Sequence, residues 1–268
     1  MAVVIKNAQV RNMNVGPTLS SIGNFSYWNA ASTYSYPRDG STWYDIVGDN
    51  NGSMINMSGD NFDGEAQGIF VFDGTDEYVS VSGSESIEDL NPSSGAFTIT
   101  AWIKPDTSKM EGEATYRVVN KMGRQSPGWS ISVKRKTASL TQWQLYSNRI
   151  LDTGSVGGSQ NGGSYYDSST WHYITTTYNA DRSVFYSNEF KTRVNTSVDV
   201  SFMVPTGIGS ISNTSPFEIG ATATFSGAPS YLSEVFPGSI ASVKFYKRLL
   251  SEDEIKQDYL SSKGRFGL

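Results

Sequence analysis

The chain has no cysteine and a single histidine among its 268 residues. Without thiols it forms no disulfide, no thiolate zinc site, no iron–sulfur cluster and no cysteine nucleophile. One histidine leaves any Ser-His-Asp triad a single candidate base, His172, and a histidine-based metal site would need more ligands than one. Charge is scarce as well, with Asp, Glu, Lys and Arg making up 18% of the chain against a usual ~25%. The net charge of −5 carries no basic excess of the kind that neutralises phosphates, which argues against a nucleic-acid partner. No stretch approaches the roughly 18 apolar residues of a membrane span, and the opening Met1-Ala2-Val3-Val4-Ile5-Lys6 is too short an apolar run for a secretory leader. These absences predict synthesis in a cytoplasm, with no membrane partner.

Core material is plentiful. Hydrophobic residues make up 37% of the chain, beside 26 glycines, and the length suits one large β domain or two small ones. Around that core stand 40 serines and 21 threonines, so the surface is polar but lightly charged.

Apolar residues alternate with polar ones along the chain. In Phe97-Thr98-Ile99-Thr100-Ala101-Trp102-Ile103 the odd positions share one face, the period of a strand. The same alternation predicts strands at Gly68–Phe72, Tyr78–Val81, Trp129–Val133, Gln142–Tyr146, Trp171–Tyr178, Ser183–Tyr186 and Ile240–Tyr246. Between them lie turn-formers such as Asp73-Gly74, Asn91-Pro92-Ser93-Ser94-Gly95, Gln125-Ser126-Pro127-Gly128, Asn161-Gly162-Gly163 and Ala228-Pro229-Ser230. An all-β antiparallel fold follows. One segment departs from it: Ser251-Glu252-Asp253-Glu254 is a capping box, so a short helix should start there, with Ile255 and Tyr259 on one face and Lys263-Gly264 as its stop. Residues 1–24, poor in aromatics and broken by Gly16-Pro17, read as an N-terminal arm that anchors the chain. Residues 25–268 read as one domain, in which 25–67 consist of loops with short strands.

Three stretches resemble the concanavalin A-like, laminin-G-like jelly rolls. They are Phe72-Asp73-Gly74-Thr75-Asp76-Glu77-Tyr78-Val79, the pair Phe97–Pro105 and Thr170–Asn179, and the closing Gly238–Ile255. The resemblance implies a two-sheet antiparallel sandwich with a short C-terminal helix. Tyr36–Ile46 with Asn50-Asn51-Gly52, and the ending Lys263-Gly264-Arg265-Phe266-Gly267-Leu268, resemble virion structural proteins of tailed phages, especially those of marine cyanobacteria. Arg38 and Val47-Gly48-Asp49 depart from that pattern. This second resemblance implies a non-enzymatic capsid decoration or fibre module, homo-oligomeric and joined to other virion proteins through residues 1–24. The alternative is a lectin-like module that binds host surface polysaccharide.

Candidate sites are few. Retaining glucanases of this fold carry Glu-x-Asp-x-Glu on one strand, so that alternate carboxylates face one cleft, and the chain has no such strand. Glu252-Asp253-Glu254 read as helix-start acids, and Glu111 and Glu113 as loop residues. His172 reads as a strand-entry residue. Tyr36–Trp43 resembles a sialidase Asp box, with Asp39 one place off. Calcium is the ion that the family resemblance allows, with Asp45, Asn50, Asp73 and Asp76 as available oxygens, but no dense acidic loop calls for a metal site. For sugars, Tyr165 and Tyr166 in a flexible loop over Asn161–Asp167 offer adjacent rings, while Trp129 and Trp143 are expected in the core.

Overall fold

The structure, a computed structural model, describes residues 24–81, 96–112, 114–122, 128–136, 139, 141–150, 156–178, 182–187, 202–203, 216–222 and 234–268. The arm expected over residues 1–24 lies, apart from Asn24, outside the described residues, as do Glu113 and the turns at 91–95 and 228–230. In chain order the strands are β1 (Asn24–Asn29), β2 (Thr42–Trp43), β3 (Gly52–Ile55), β4 (Phe62–Asp63), β5 (Ile69–Asp73), β6 (Tyr78–Val81), β7 (Phe97–Pro105) and β8 (Thr115–Met122). They continue as β9 (Gly128–Arg135), β10 (Gln142–Ile150), β11 (Val156–Asp167), β12 (His172–Tyr178), β13 (Arg182–Ser187), β14 (Phe202–Met203), β15 (Phe217–Ile219) and β16 (Pro237–Tyr246), followed by the helix α1 (Glu252–Ser262). Each alternating segment of the sequence is a strand, as expected from its period.

The strands form two antiparallel sheets. The first runs β14-β13-β12-β7-β16-β5-β4, and the second runs β11-β10-β9-β8-β15-β6-β3-β2. β16 is the spine of the first sheet, with β7 along one flank. On the other flank β5 pairs Pro237–Ile240 and β1 pairs Ser242–Tyr246. A bulge between Ile240 and Ser242 inserts one residue, which resets the alternation. Ile240, Val243 and Phe245 therefore all reach the core between the sheets.

In that core Trp28 and Trp129 each pack on Phe217 and Phe245, which also meet each other, with ring centroids 4.9–6.3 Å apart. Phe97, Ile99, Ala101 and Ile103 line it from β7, as their spacing predicts, and Trp129 and Trp143 are fully buried in it. Each such aromatic removed from water contributes roughly 1.5–3 kcal/mol before entropy is counted.

The outer face of the first sheet carries a second apolar layer. Trp102, Trp171, Tyr173, Tyr246 and Ile69 point away from the main core and are covered by Leu250, Ile255, Tyr259 and Phe266. The helix starts where the capping box places it: Ser251 Oγ accepts from the Glu254 amide at 3.3 Å, and Glu254 accepts from the Ser251 amide at 2.8 Å. It ends at Ser262 with Lys263 as its C-cap, at the Lys263-Gly264 stop that the sequence predicts. The chain continues as a 3-10 turn over Lys263–Phe266, and the left-handed residue is Gly267, at φ 73°. The reason is tertiary, since Phe266 stacks on Trp102 at 4.0 Å and meets Trp171 at 4.9 Å, which draws the tail down onto the sheet.

A buried ion pair locks the helix. Asp258, 1% exposed, takes the Lys244 ammonium at 2.5 Å and the Tyr173 hydroxyl at 2.6 Å. Burial alone would lower the Lys244 pKa, but the Asp258 carboxylate, helped by Tyr246 and Tyr27, overrides that and raises it. The Tyr173 phenol is pushed well up, by burial first and then by the Asp258 charge.

Candidate saccharide-binding site

The outer face of the second sheet is polar. Its strands alternate core residues, such as Trp129, Ile131 and Val133 on β9 or Phe217 and Ile219 on β15, with Ser130, Ser132 and Glu218 facing outward. Register then composes the face. One row runs Tyr165, Gln144, Lys134 and Thr115 across β11, β10, β9 and β8. The next runs Tyr146, Ser132 and Arg117, and a third runs Ser130, Asn120, Glu218, Ser80 and Ser53.

Within the face the buried groups hold one another. Arg117 donates to Ser130 Oγ at 2.5 Å and Ser132 Oγ at 3.0 Å, and grips Glu234 through Nε at 2.7 Å and a second nitrogen at 2.6 Å. Asn120 donates to Glu218 at 3.0 Å. The Tyr78 phenol is raised by burial and then by the Glu218 charge.

Toward the β11 edge the face turns aromatic. Tyr165 is 46% exposed, and the Lys136 ammonium sits 4.5 Å from its ring centroid. Lys136 also donates to Gln142 at 3.1 Å, Tyr146 donates to the Gln144 amide oxygen at 3.1 Å, and Lys134 lies 5.7 Å from the Tyr146 ring. A braced ring with an amide and two ammonium groups around it provides a stacking surface and hydrogen-bonding groups for a polyhydroxylated ring.

The expected tyrosine pair is divided. Asn161–Asp167 is the end of β11, an edge strand, rather than a loop. Successive side chains in a strand point to opposite faces, so Tyr166 turns inward. It packs on Trp143 at 4.9 Å and His172 at 5.4 Å, is 7% exposed and offers no ring to a ligand. His172 is buried between these aromatics with Nε2 2.7 Å from the Asp167 carbonyl, a structural placement. Arg117, Gln144, Tyr146, Lys134 and Lys136 were not singled out from the sequence. Gln144 and Tyr146 do alternate with Trp143 and Leu145 there, but nothing local tells which strands lie beside them.

The remaining candidates have structural duties. Glu254 is held down to about 2 by its hydrogen bond to Arg248, in ion-pair contact at 2.7 Å. Asp39 accepts from its neighbour Gly40 at 2.7 Å. Asp45 accepts from the Tyr27, Val47 and Asn50 amides and the Asn50 side chain at 2.8–3.3 Å. That donor set satisfies a carboxylate with N–H groups and suits no cation. Asp73 accepts from the Thr75 amide at 2.7 Å in a turn. Among the described residues no three His, Cys, Asp or Glu side chains gather as metal ligands, and no helix is long and apolar enough to cross a membrane.

The family model described as the concanavalin A-like lectin/glucanases superfamily, of laminin G type, matches residues 73–256. The chain belongs to this family. No curated protein matches it. Among solved structures, the binding domain of botulinum neurotoxin serotype D/C superposes with TM-score 0.59 at 16% identity, over 90% of this chain and 52% of that one. The binding domain of Paraclostridial Mosquitocidal Protein 1 gives 0.52 at 18%, over 78% and 45%. A Trypanosoma rangeli sialidase in complex with the inhibitor DANA gives 0.56 at 14%, over 95% and 36%. The chain thus spans about half the length of the toxin binding domains it matches. At these identities the likeness is one of fold, and none of the three is a virion protein.

Proposed function

We infer that this laminin-G-like domain is a carbohydrate-binding module whose contact surface is the β11 edge of the second sheet. The observation that carries the reading is the exposed Tyr165 ring, braced by Lys136 and flanked by Gln144 and Tyr146. Family membership supports it, and so do the two neighbours titled as binding domains. The module acts by binding, without bond cleavage: Glu234 is paired with Arg117 and Glu218 accepts from Asn120. The test is a glycan array of bacterial surface polysaccharides, followed by calorimetry on any positive sugar with the full chain and with Tyr165→Ala. Tenfold or greater loss of affinity in a folded variant is expected. Unchanged affinity would sink the site, and release of reducing ends would sink the non-enzymatic reading.

The virion setting is a second reading, carried by the motifs at Tyr36–Ile46 and Lys263–Leu268. In it the module is a homo-oligomeric decoration or fibre element, made in the host cytoplasm and joined to other virion proteins by residues 1–24. Deletion of residues 1–24 should then leave a folded domain that no longer cosediments with phage particles. Retained incorporation would remove this reading.

A further inference from the structure

The segment from Asn29 to Asn51 is braced far more heavily than a connector needs. Ser35 and Tyr36 amides both donate to the Ser32 carbonyl, at 3.0 and 2.8 Å. Ser35 Oγ accepts from the Asn29 amide at 3.0 Å and donates to the Tyr44 carbonyl at 2.6 Å, while the Tyr44 amide returns to the Ser35 carbonyl at 2.7 Å. Arg38 holds a left-handed backbone at φ 74°, a strained state for a side chain with a Cβ. Its guanidinium secures that state by bonding the Ala30 and Ala31 carbonyls at 2.5 and 3.1 Å while lying 4.0 Å over the Phe62 ring. Below, Tyr36 and Trp43 are fully buried against Phe70, at 4.8 and 4.9 Å.

On top of this frame stand two rings turned to solvent. Tyr34 is 56% exposed and Tyr44 is 40% exposed. The Ser35–Tyr44 bonds tie Tyr44 to the residue next to Tyr34. The same segment exposes Thr33, Asp39 and Ser41, hydroxyls and a carboxylate rather than apolar groups. Tyrosine provides a large, stiff contact area at low entropic cost, and a braced backbone cuts the cost of binding further. Rings beside hydroxyls and a carboxylate offer a pyranose a stacking face and hydrogen-bonding groups.

We propose that Tyr34 and Tyr44 form a second saccharide-binding platform, which deepens and rests on the carbohydrate-binding reading above. Its position sets its use. Tyr44 follows β2, the last strand of the second sheet, while Tyr165 lies on β11, the first. Seven inter-strand steps of about 4.8 Å put the two platforms roughly 30 Å apart. That span exceeds a short oligosaccharide and suits a polymer, so the pair would retain a polysaccharide by avidity.

The full chain, Tyr34→Ala/Tyr44→Ala, Tyr165→Ala and the triple variant are compared on immobilised bacterial polysaccharides and on short soluble fragments of the one bound best. Thermal melts check that each is folded. Expected is at least a tenfold loss of retention on the polymer for the Tyr34/Tyr44 variant, and loss of all binding in the triple variant. If Tyr165→Ala alone is silent, the Tyr165 site fails and the Tyr34/Tyr44 platform stands. Wild-type retention in the Tyr34/Tyr44 variant, with Tyr165→Ala impaired, overturns this inference and leaves the first. Altered sedimentation of the Tyr34/Tyr44 variant without any change in glycan binding also overturns it, in favour of a contact between copies. No binding by the full chain overturns both.

Discussion

The two outer faces of this sandwich are finished in opposite ways. On the first sheet the chain covers its own surface: α1 and the turn after it bury Trp102, Trp171 and Tyr173 and place an ion pair beneath the helix. On the second sheet the residues opposite the core are Ser, Asn, Glu, Arg and Gln, buried and hydrogen-bonded to one another, and an exposed tyrosine stands at the β11 edge. The first face is used for stability, and on the second only the Tyr165 rim is shown open to a ligand. Changes on the first should therefore cost stability and leave binding alone, and changes at the rim of the second should do the reverse.

The largest effect is expected at Asp258. Asp258→Asn leaves the Lys244 ammonium buried without its counter-charge, and breaking a buried pair from one side costs about 3–5 kcal/mol. Urea unfolding checks it, and a Lys244→Met/Asp258→Leu double variant should regain most of the loss. Truncation of Phe266 to Ala removes the ring between Trp102 and Trp171. Because that ring is only partly buried, the expected loss is about 2 kcal/mol, below the fully buried range. Glycan binding, measured in parallel, should not move, and a loss of binding there would break the division between the faces.

A smaller effect follows from pH. Glu254 is depressed to about 2 from 4.5, so its ionised form favours the folded state. That contribution is present above about pH 4.5 and fades as pH falls toward 2. Thermal melts between those limits should drop less steeply for Glu254→Gln than for the parent. Smallest for stability is Tyr165→Ala, expected within about 0.5 kcal/mol of the parent because the ring is exposed at an edge, while saccharide affinity falls at least tenfold.

Much of this division was legible in the residues. The alternation in Phe97–Ile103 placed that strand's core face, and Ser251–Glu254 placed the helix start, because both signals depend on neighbours within a few positions. The helix stop at Lys263-Gly264 was legible too, but the 3-10 turn after it was not, because Phe266 packs on Trp102, more than 150 positions away. Tyr165 and Tyr166 were picked out as a pair, yet a pair on a strand is divided by the pleat, and the loop expected there is a strand because β10 lies beside it.

The sequence by itself determined the all-β class, the core face of each strand and the lack of thiol chemistry, since these follow from composition and period, while the two-sheet sandwich was implied by the family resemblance. Only the tertiary structure decided that Arg117 meets Glu234, that Lys136 caps Tyr165, and that Tyr34 and Tyr44 share one braced loop. Those contacts join residues from about ten to more than a hundred positions apart, and chain-local preference carries no record of which strand will lie beside which. Register across the sheets does.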